Sequence, residues 1–202
     1  MLTAATDALD EHDPGLLPEF SAVLDCGRLG YPALLKAGCG TLVGPLAQRL
    51  PAPPLLGFDE VWGVSSRGGQ HGKGEASAAV SLARLSWAFA CHFDGDPVLP
   101  GTLMMEALLQ LTGLWGAARG LEGRGRAAQV KNVRLLAEVT PHQDRLVYTI
   151  SIRQFSKARG IVVADGLATV KGKAHTEISG MMLAIIPHPL SPHDHQDTHN
   201  GR

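Results

Sequence analysis

Between 103 and 119 apolar residues fall nearly all round the helical wheel, interrupted chiefly by Glu106 and Gln110. That pattern predicts a buried helix, about 25 Å long at roughly 1.5 Å per residue. Gly113 and Gly116 weaken such a helix, which predicts a close neighbour on their face. The Gly-rich stretch 120–125 ends it. The hydrophobic period then switches to two, and strands are predicted over 130–136, 146–153, 161–170 and 175–186. Ahead of the helix, 55–65 and 76–82 have strand character, separated by a Gly-rich turn at 68–74. Pro51-Ala52-Pro53-Pro54 marks a connector. The run 34–38 reads as a helix end with Gly38 as its left-handed cap. A short helix is expected around 16–24, after the turn Asp13-Pro14-Gly15. One buried helix followed by consecutive strands predicts an α+β layout in which an antiparallel sheet wraps a long central helix. Residues 188–202, polar and rich in Pro and His, are predicted to be disordered. No internal repeat is visible.

Composition narrows the class. A chain of 202 residues fits one domain with tails, and 45% hydrophobic residues supply a core. The net charge of −1 conceals an asymmetry. The first 25 residues hold Asp7, Asp10, Glu11, Asp13, Glu19 and Asp25 without a Lys or Arg, whereas 119–173 carries eleven Lys/Arg against four Asp/Glu. A basic face is therefore expected there, and its lack of interleaved aromatics argues against nucleic acid. No secretory signal or membrane span is read. The odd set Cys26, Cys39 and Cys91 lacks metal-ligand spacing, which fits a reduced, cytoplasmic setting. No cofactor is implied. Cys91, His92, Asp94 and Asp96 are crowded, but near-adjacent residues rarely close a tetrahedral site, so no metal is expected.

The candidate chemistry sits where a turn-rich stretch opens into the long helix. His92 is followed by an Asp/Gly/Pro turn, then by Pro100-Gly101 and, five residues on, by Glu106. A histidine base, a carboxylic acid and a helix N-terminus can together remove water from a 3-hydroxyacyl thioester. The proton next to the carbonyl needs a base, and neutral imidazole suits it. Hydroxide must leave as water, and apolar neighbours such as Met104, Met105, Ala107 and Leu108 favour a protonated Glu106. The free N–H groups at the helix start, Gly101 foremost, can hold the thioester oxygen. Gln110, one turn after Glu106, can hold its carboxyl. Taken singly, each has a commoner role: a solvated turn histidine, a carboxylate near a helix dipole, ordinary helix punctuation.

The run Cys91-His92-Phe93-Asp94-Gly95-Asp96-Pro97-Val98-Leu99-Pro100-Gly101 resembles the active-site signature of the bacterial β-hydroxydecanoyl-ACP dehydratase/isomerase family of fatty-acid synthesis. Leu50-Pro51-Ala52-Pro53-Pro54, Glu122-Gly123-Arg124-Gly125-Arg126-Ala127 and Val163-Ala164-Asp165-Gly166 resemble its flanking segments in order, so the similarity covers roughly 33–187. It implies a hot-dog fold over 31–187, after an acidic extension 1–30. It also implies a homodimer with the active site at the interface, the histidine coming from one subunit and the carboxylate from the other. By position His92 matches the catalytic histidine, Gly101 the thioester-binding amide, and Val98 the residue whose carbonyl orients the imidazole. Arg153 and Lys157 fall where the family docks its acidic acyl carrier protein, and Arg159, Lys171 and Lys173 are expected to extend that patch. Two positions depart. Glu106 stands where the bifunctional family has Asp and the dehydratase-only hot-dog family has Glu, and Thr102, a candidate substrate contact, also differs. The expected activity is a (3R)-3-hydroxyacyl-ACP dehydratase giving a trans-2-enoyl thioester in fatty-acid, polyketide or polyene assembly. The alternatives are a bifunctional enzyme that goes on to the cis-3 product, a non-catalytic carrier-binding subunit, and a thioesterase on the same fold.

Overall fold

The helix predicted over 103–119 is the axis of the computed structural model, which describes residues 13–22, 27–40, 42 and 49–187. In chain order the elements are α1 (Pro18–Ser21), β1 (Arg28–Gly30), α2 (Tyr31–Gly38), β2 (Glu60–Ser65) and β3 (Glu75–Ser81). A 3-10 turn (Leu82–Leu85) then leads to α3 (Ser86–Cys91), α4 (Gly101–Ala118), β4 (Arg124–Gln129), β5 (Asn132–Leu135), β6 (Arg145–Ser156), β7 (Ile161–Val170) and β8 (Lys173–Ile186). The strands make one sheet in the order β1-β2-β3-β6-β7-β8-β4, with β5 also on β8. Every pairing is antiparallel.

The sheet presents one face to α4. Leu146, Tyr148, Ile150 and Ile152 of β6 are buried, as are Val162, Ala164, Ala168 and Val170 of β7, at the alternate positions that point one way from a strand. From Ala107 to Ala118 every residue of α4 is buried. Fully burying a side chain such as Leu108 or Leu111 contributes about 1.5–3 kcal/mol each. The helix lies close enough that a Cβ on Gly166 of β7 would fall 2.9 Å from Leu108 Cδ1 and 2.8 Å from Met181 Cε. The glycine is thus required by contact.

Several elements differ from the sequence reading. The strand expected from 55 begins at Glu60, because Leu55 O and Gly57 N–H bond to the Gln110 side chain rather than to a ladder. The Gly-rich stretch stops acting as a turn at Gly123, and β4 follows at Arg124. Its sequence RGRAAQ lacks β-branched residues, so the pairing with β8 decides its structure. The strand expected over 130–136 is only Asn132–Leu135. Gly38 stays inside α2, and the left-handed position is taken by Gly40, at φ 74°. The helix expected near 16–24 is a single turn, and α3 was not anticipated. The tail 188–202 lies outside the described residues.

The described part of the acidic lead-in docks on the far end of α4. Phe20 and Leu29 are fully buried, and Leu17 N–H donates to Ala118 O at 2.8 Å. Asp13 anchors this segment. Burial opposes its charge, but bonds from the Ser66 hydroxyl and N–H, the Gly15 N–H and the Ser65 hydroxyl outweigh it, holding the carboxyl down to about 2. The folded value lies below the unfolded one near 3.9, so the carboxylate stabilises the fold above the unfolded value and loses that effect as pH falls toward 2. Asp13→Asn should lower stability by about 1–2 kcal/mol at neutral pH. In urea titrations the gap from wild type should close across that acid window. A gap that does not depend on pH would show that Asp13 acts by shape alone.

Candidate active site

α3 ends at His92, and the next six residues fold the chain back on that ring. Phe93 N–H donates to Asp96 O at 3.0 Å and Asp96 N–H to Phe93 O at 3.1 Å, around Gly95 at φ 75°. Val98 N–H then donates to His92 O at 2.9 Å. The closed loop aims the Val98 carbonyl at the imidazole, with His92 Nδ1 at 2.9 Å from Val98 O. A carbonyl only accepts, so the proton of this bond is on Nδ1. In the neutral ring that leaves Nε2 as a free acceptor, the state a base requires. The Phe93 ring stacks on the imidazole, with centroids 3.8 Å apart.

Leu99 N–H bonds Val139 O at 2.8 Å, which fixes the chain just before α4. Pro100 is the N-cap and Gly101 the first helical residue, whose N–H is one of those with no intrahelical acceptor. Leu135 of β5 leans over it: a Cβ on Gly101 would lie 2.7 Å from Leu135 Cδ1. Thr102 is exposed.

Glu106 is half-buried on the next turn of α4. Its Oε1 accepts from Gln110 Nε2 at 3.0 Å, as the one-turn spacing predicts. The carboxyl borders a cavity of about 230 Å³ whose lining includes Leu109, Gln110, Gly113, Arg126 and Leu183, but not His92. Within one chain, then, His92 meets Val98 and Glu106 meets Gln110, while His92 and Val98 are not among the residues lining the cavity at Glu106. A larger cavity, of about 590 Å³, lies on the opposite face of the sheet and contains none of these four residues. Its size is no argument for chemistry. Among the described residues no group of three or more His, Cys, Asp or Glu could hold a metal.

The three basic candidates separate. Arg153 Nε bonds both oxygens of Asp165, at 2.6 and 2.7 Å, and so is occupied within the chain. Burial opposes the Asp165 charge, but bonds from His71, the Gly180 N–H and Arg153 hold its carboxyl below the usual range. Lys157 and Arg159 instead stand on the β6–β7 turn, lining a cavity of about 380 Å³ beside Glu122. Gly57, Leu55 and Arg126 were not singled out from the sequence. Arg126 was visible only as one member of the basic stretch and of the resembling segment 122–127, and Gly57 carried no signal before its contact with α4 was known.

The same fold occurs in the dehydratase heterocomplex ApeI:P from Xenorhabdus doucetiae, with a TM-score of 0.53 at 16% identity over 67% of this chain and 86% of that one. A thioesterase from Haemophilus influenzae matches with a TM-score of 0.47 at 18% identity, over 71% of this chain and 87% of that one. A hypothetical thioesterase with coenzyme A from Streptococcus pneumoniae matches with a TM-score of 0.45 at 14% identity, over 56% and 79%. The likeness to the dehydratase heterocomplex carries the hot-dog architecture of a sheet wrapped round α4. The sequence itself goes further: residues 50–179 match the FabA-like domain, a span holding the His92 loop and the whole of α4, and the chain belongs to that family.

Proposed function

We propose that this protein is a (3R)-3-hydroxyacyl thioester dehydratase acting on an acyl carrier protein, with a site completed by a second copy of the chain. The observation that carries the reading is the His92 Nδ1 bond to Val98 O, which leaves Nε2 free as an acceptor in the loop that leads into α4. In the reaction Nε2 takes the proton from C2, and the C–H electron pair forms the C2=C3 bond. The C3–O bond breaks, and Glu106 delivers the proton with which hydroxide leaves as water. Charge developing on the thioester oxygen is met by the Gly101 N–H. The proton on His92 is then lost and that on Glu106 restored through solvent, so atoms and charge balance.

A second subunit is supported by the cavity at Glu106, whose lining does not include His92 of the same chain. His92 of one copy would face Glu106 of the other across the β4/β5 edge. There Val133, Leu135 and Leu136 are 41%, 62% and 42% exposed, an apolar strip of the kind an isologous interface covers. Lys157 and Arg159 are the docking cations for the acidic carrier, and Arg153, paired with Asp165, contributes less. A reduced cytoplasmic setting fits the free thiols of Cys39 and Cys91.

Glu106 in place of Asp favours dehydration without isomerisation, since one extra methylene shifts the carboxyl relative to a second proton transfer. The test is incubation with 3-hydroxyacyl carrier-protein thioesters of several lengths, following water loss by intact mass and the double bond by product analysis. Only trans-2 product is expected. A cis-3 product would establish the bifunctional enzyme, and inertness at every length would remove the dehydratase reading.

A further inference from the structure

The Gln110 side chain makes three hydrogen bonds, and together they admit only one orientation of its amide. Gly57 N–H can only donate, and it donates to Gln110 Oε1 at 2.9 Å. Leu55 O can only accept, and it accepts from Gln110 Nε2 at 3.0 Å. With both ends fixed the amide cannot flip. Its second Nε2 proton is directed at Glu106 Oε1, also at 3.0 Å. The backbone of one segment therefore dictates that Gln110 presents a donor, and not its carbonyl, to Glu106.

That segment is itself packed against the core. Leu56 and Phe58, on either side of Gly57, are buried in the core. Gly57 lies against the helix so closely that a Cβ there would fall 2.6 Å from Ala107 Cβ and 2.9 Å from Ala107 Cα. Its φ lies outside the left-handed region, so contact with α4, not backbone conformation, requires the glycine. Any side chain would lift 55–58 off α4 and take both amide anchors with it.

We propose that Gly57 is a positioning residue: with the Leu55 carbonyl it locks the Gln110 amide, which ties Glu106 Oε1 and leaves Oε2 as the oxygen that exchanges its proton with substrate. The inference rests on the dehydratase reading for its chemistry. In a protonated carboxyl the carbonyl oxygen is the better acceptor, so the oxygen bonded by Gln110 is the one without the proton. Proton delivery then comes from one preset position, and a shift of an ångström there costs up to about a hundredfold in rate.

The test uses the full-length protein and a 3-hydroxyacyl carrier-protein thioester that wild type dehydrates. Gly57→Ala should lower kcat by about ten- to a hundredfold with KM changed less than about twofold. Gln110→Glu, nearly isosteric but short of the two donors, should lower kcat in the same way and decides the matter if Gly57→Ala fails to fold. Wild-type kcat in Gln110→Glu, or a loss confined to KM, would overturn the proposal. A second readout needs no activity: exchange of the Gln110 side-chain protons by nitrogen-15 NMR should be slow in wild type and faster in Gly57→Ala. Fast exchange in wild type would defeat the lock even if dehydration is found, while slow exchange in a chain inert toward every thioester would defeat only the dehydratase reading.

Discussion

His92→Ala will reduce dehydration of a 3-hydroxyacyl thioester by about 10²- to 10⁴-fold, the range expected when a positioned general base is removed. The fold should survive, because the imidazole is half-buried and its ring bond runs to Val98 O in a surface loop. The loop's own closure, from Val98 N–H to His92 O and between Phe93 and Asp96, is backbone to backbone and does not need the imidazole. A thermal midpoint within a few degrees of wild type is therefore expected beside the loss of turnover. Added imidazole, a base of the same chemistry, should return part of the rate if it enters the space the side chain vacates. An alanine variant that keeps wild-type turnover would remove His92 from the chemistry and leave the dehydration to another group.

The parts of this fold that were legible in the sequence are those where one element decides its own structure. The central helix was readable because its apolar residues cover every face, and β7 because its alternation matches the pleat; both appear within a residue or two of where periodicity puts them. β4 was not readable. Arg124, Arg126 and Gln129 carry no strand preference and are exposed, and only the ladder to β8 makes the segment extended. The site divides along the same line. His92, Val98 and Gly101 lie within ten residues, so a loop motif reports them, and the i to i+4 spacing reports Glu106 with Gln110. Gly57 is fifty-three residues from Gln110, and nothing local marks a glycine whose reason is a helix face it touches. Arg153 shows the converse. A positive charge in the right stretch looked available for docking, yet its cross-strand neighbourhood supplies Asp165 as a partner.

Mixing two inactive proteins should restore activity, and by an amount that geometry fixes. If His92 of one subunit works with Glu106 of the other, His92→Ala and Glu106→Ala homodimers each lack a component at both sites. In a heterodimer of the two variants, one site loses both residues and the other keeps both. Random exchange makes half the dimers heterodimers, each with one intact site, so an equimolar refolded mixture should reach about a quarter of wild-type turnover. Each parent alone should stay at the reduced level expected for loss of an acid or a base. The arrangement in the single chain motivates this number: the cavity at Glu106 is lined by residues 49–51, α4, β4 and β8 without His92, and Val133, Leu135 and Leu136 are uncovered on and just after β5. Refolding and mass analysis of the mixture would first confirm that heterodimers form. Their presence without recovered turnover would place both groups of each site in one chain, through a loop movement bringing His92 to Glu106. Recovery near a quarter would put the chemistry at the β4/β5 edge, and Leu135→Lys, which inserts a charge there, should then abolish dimerisation and turnover together.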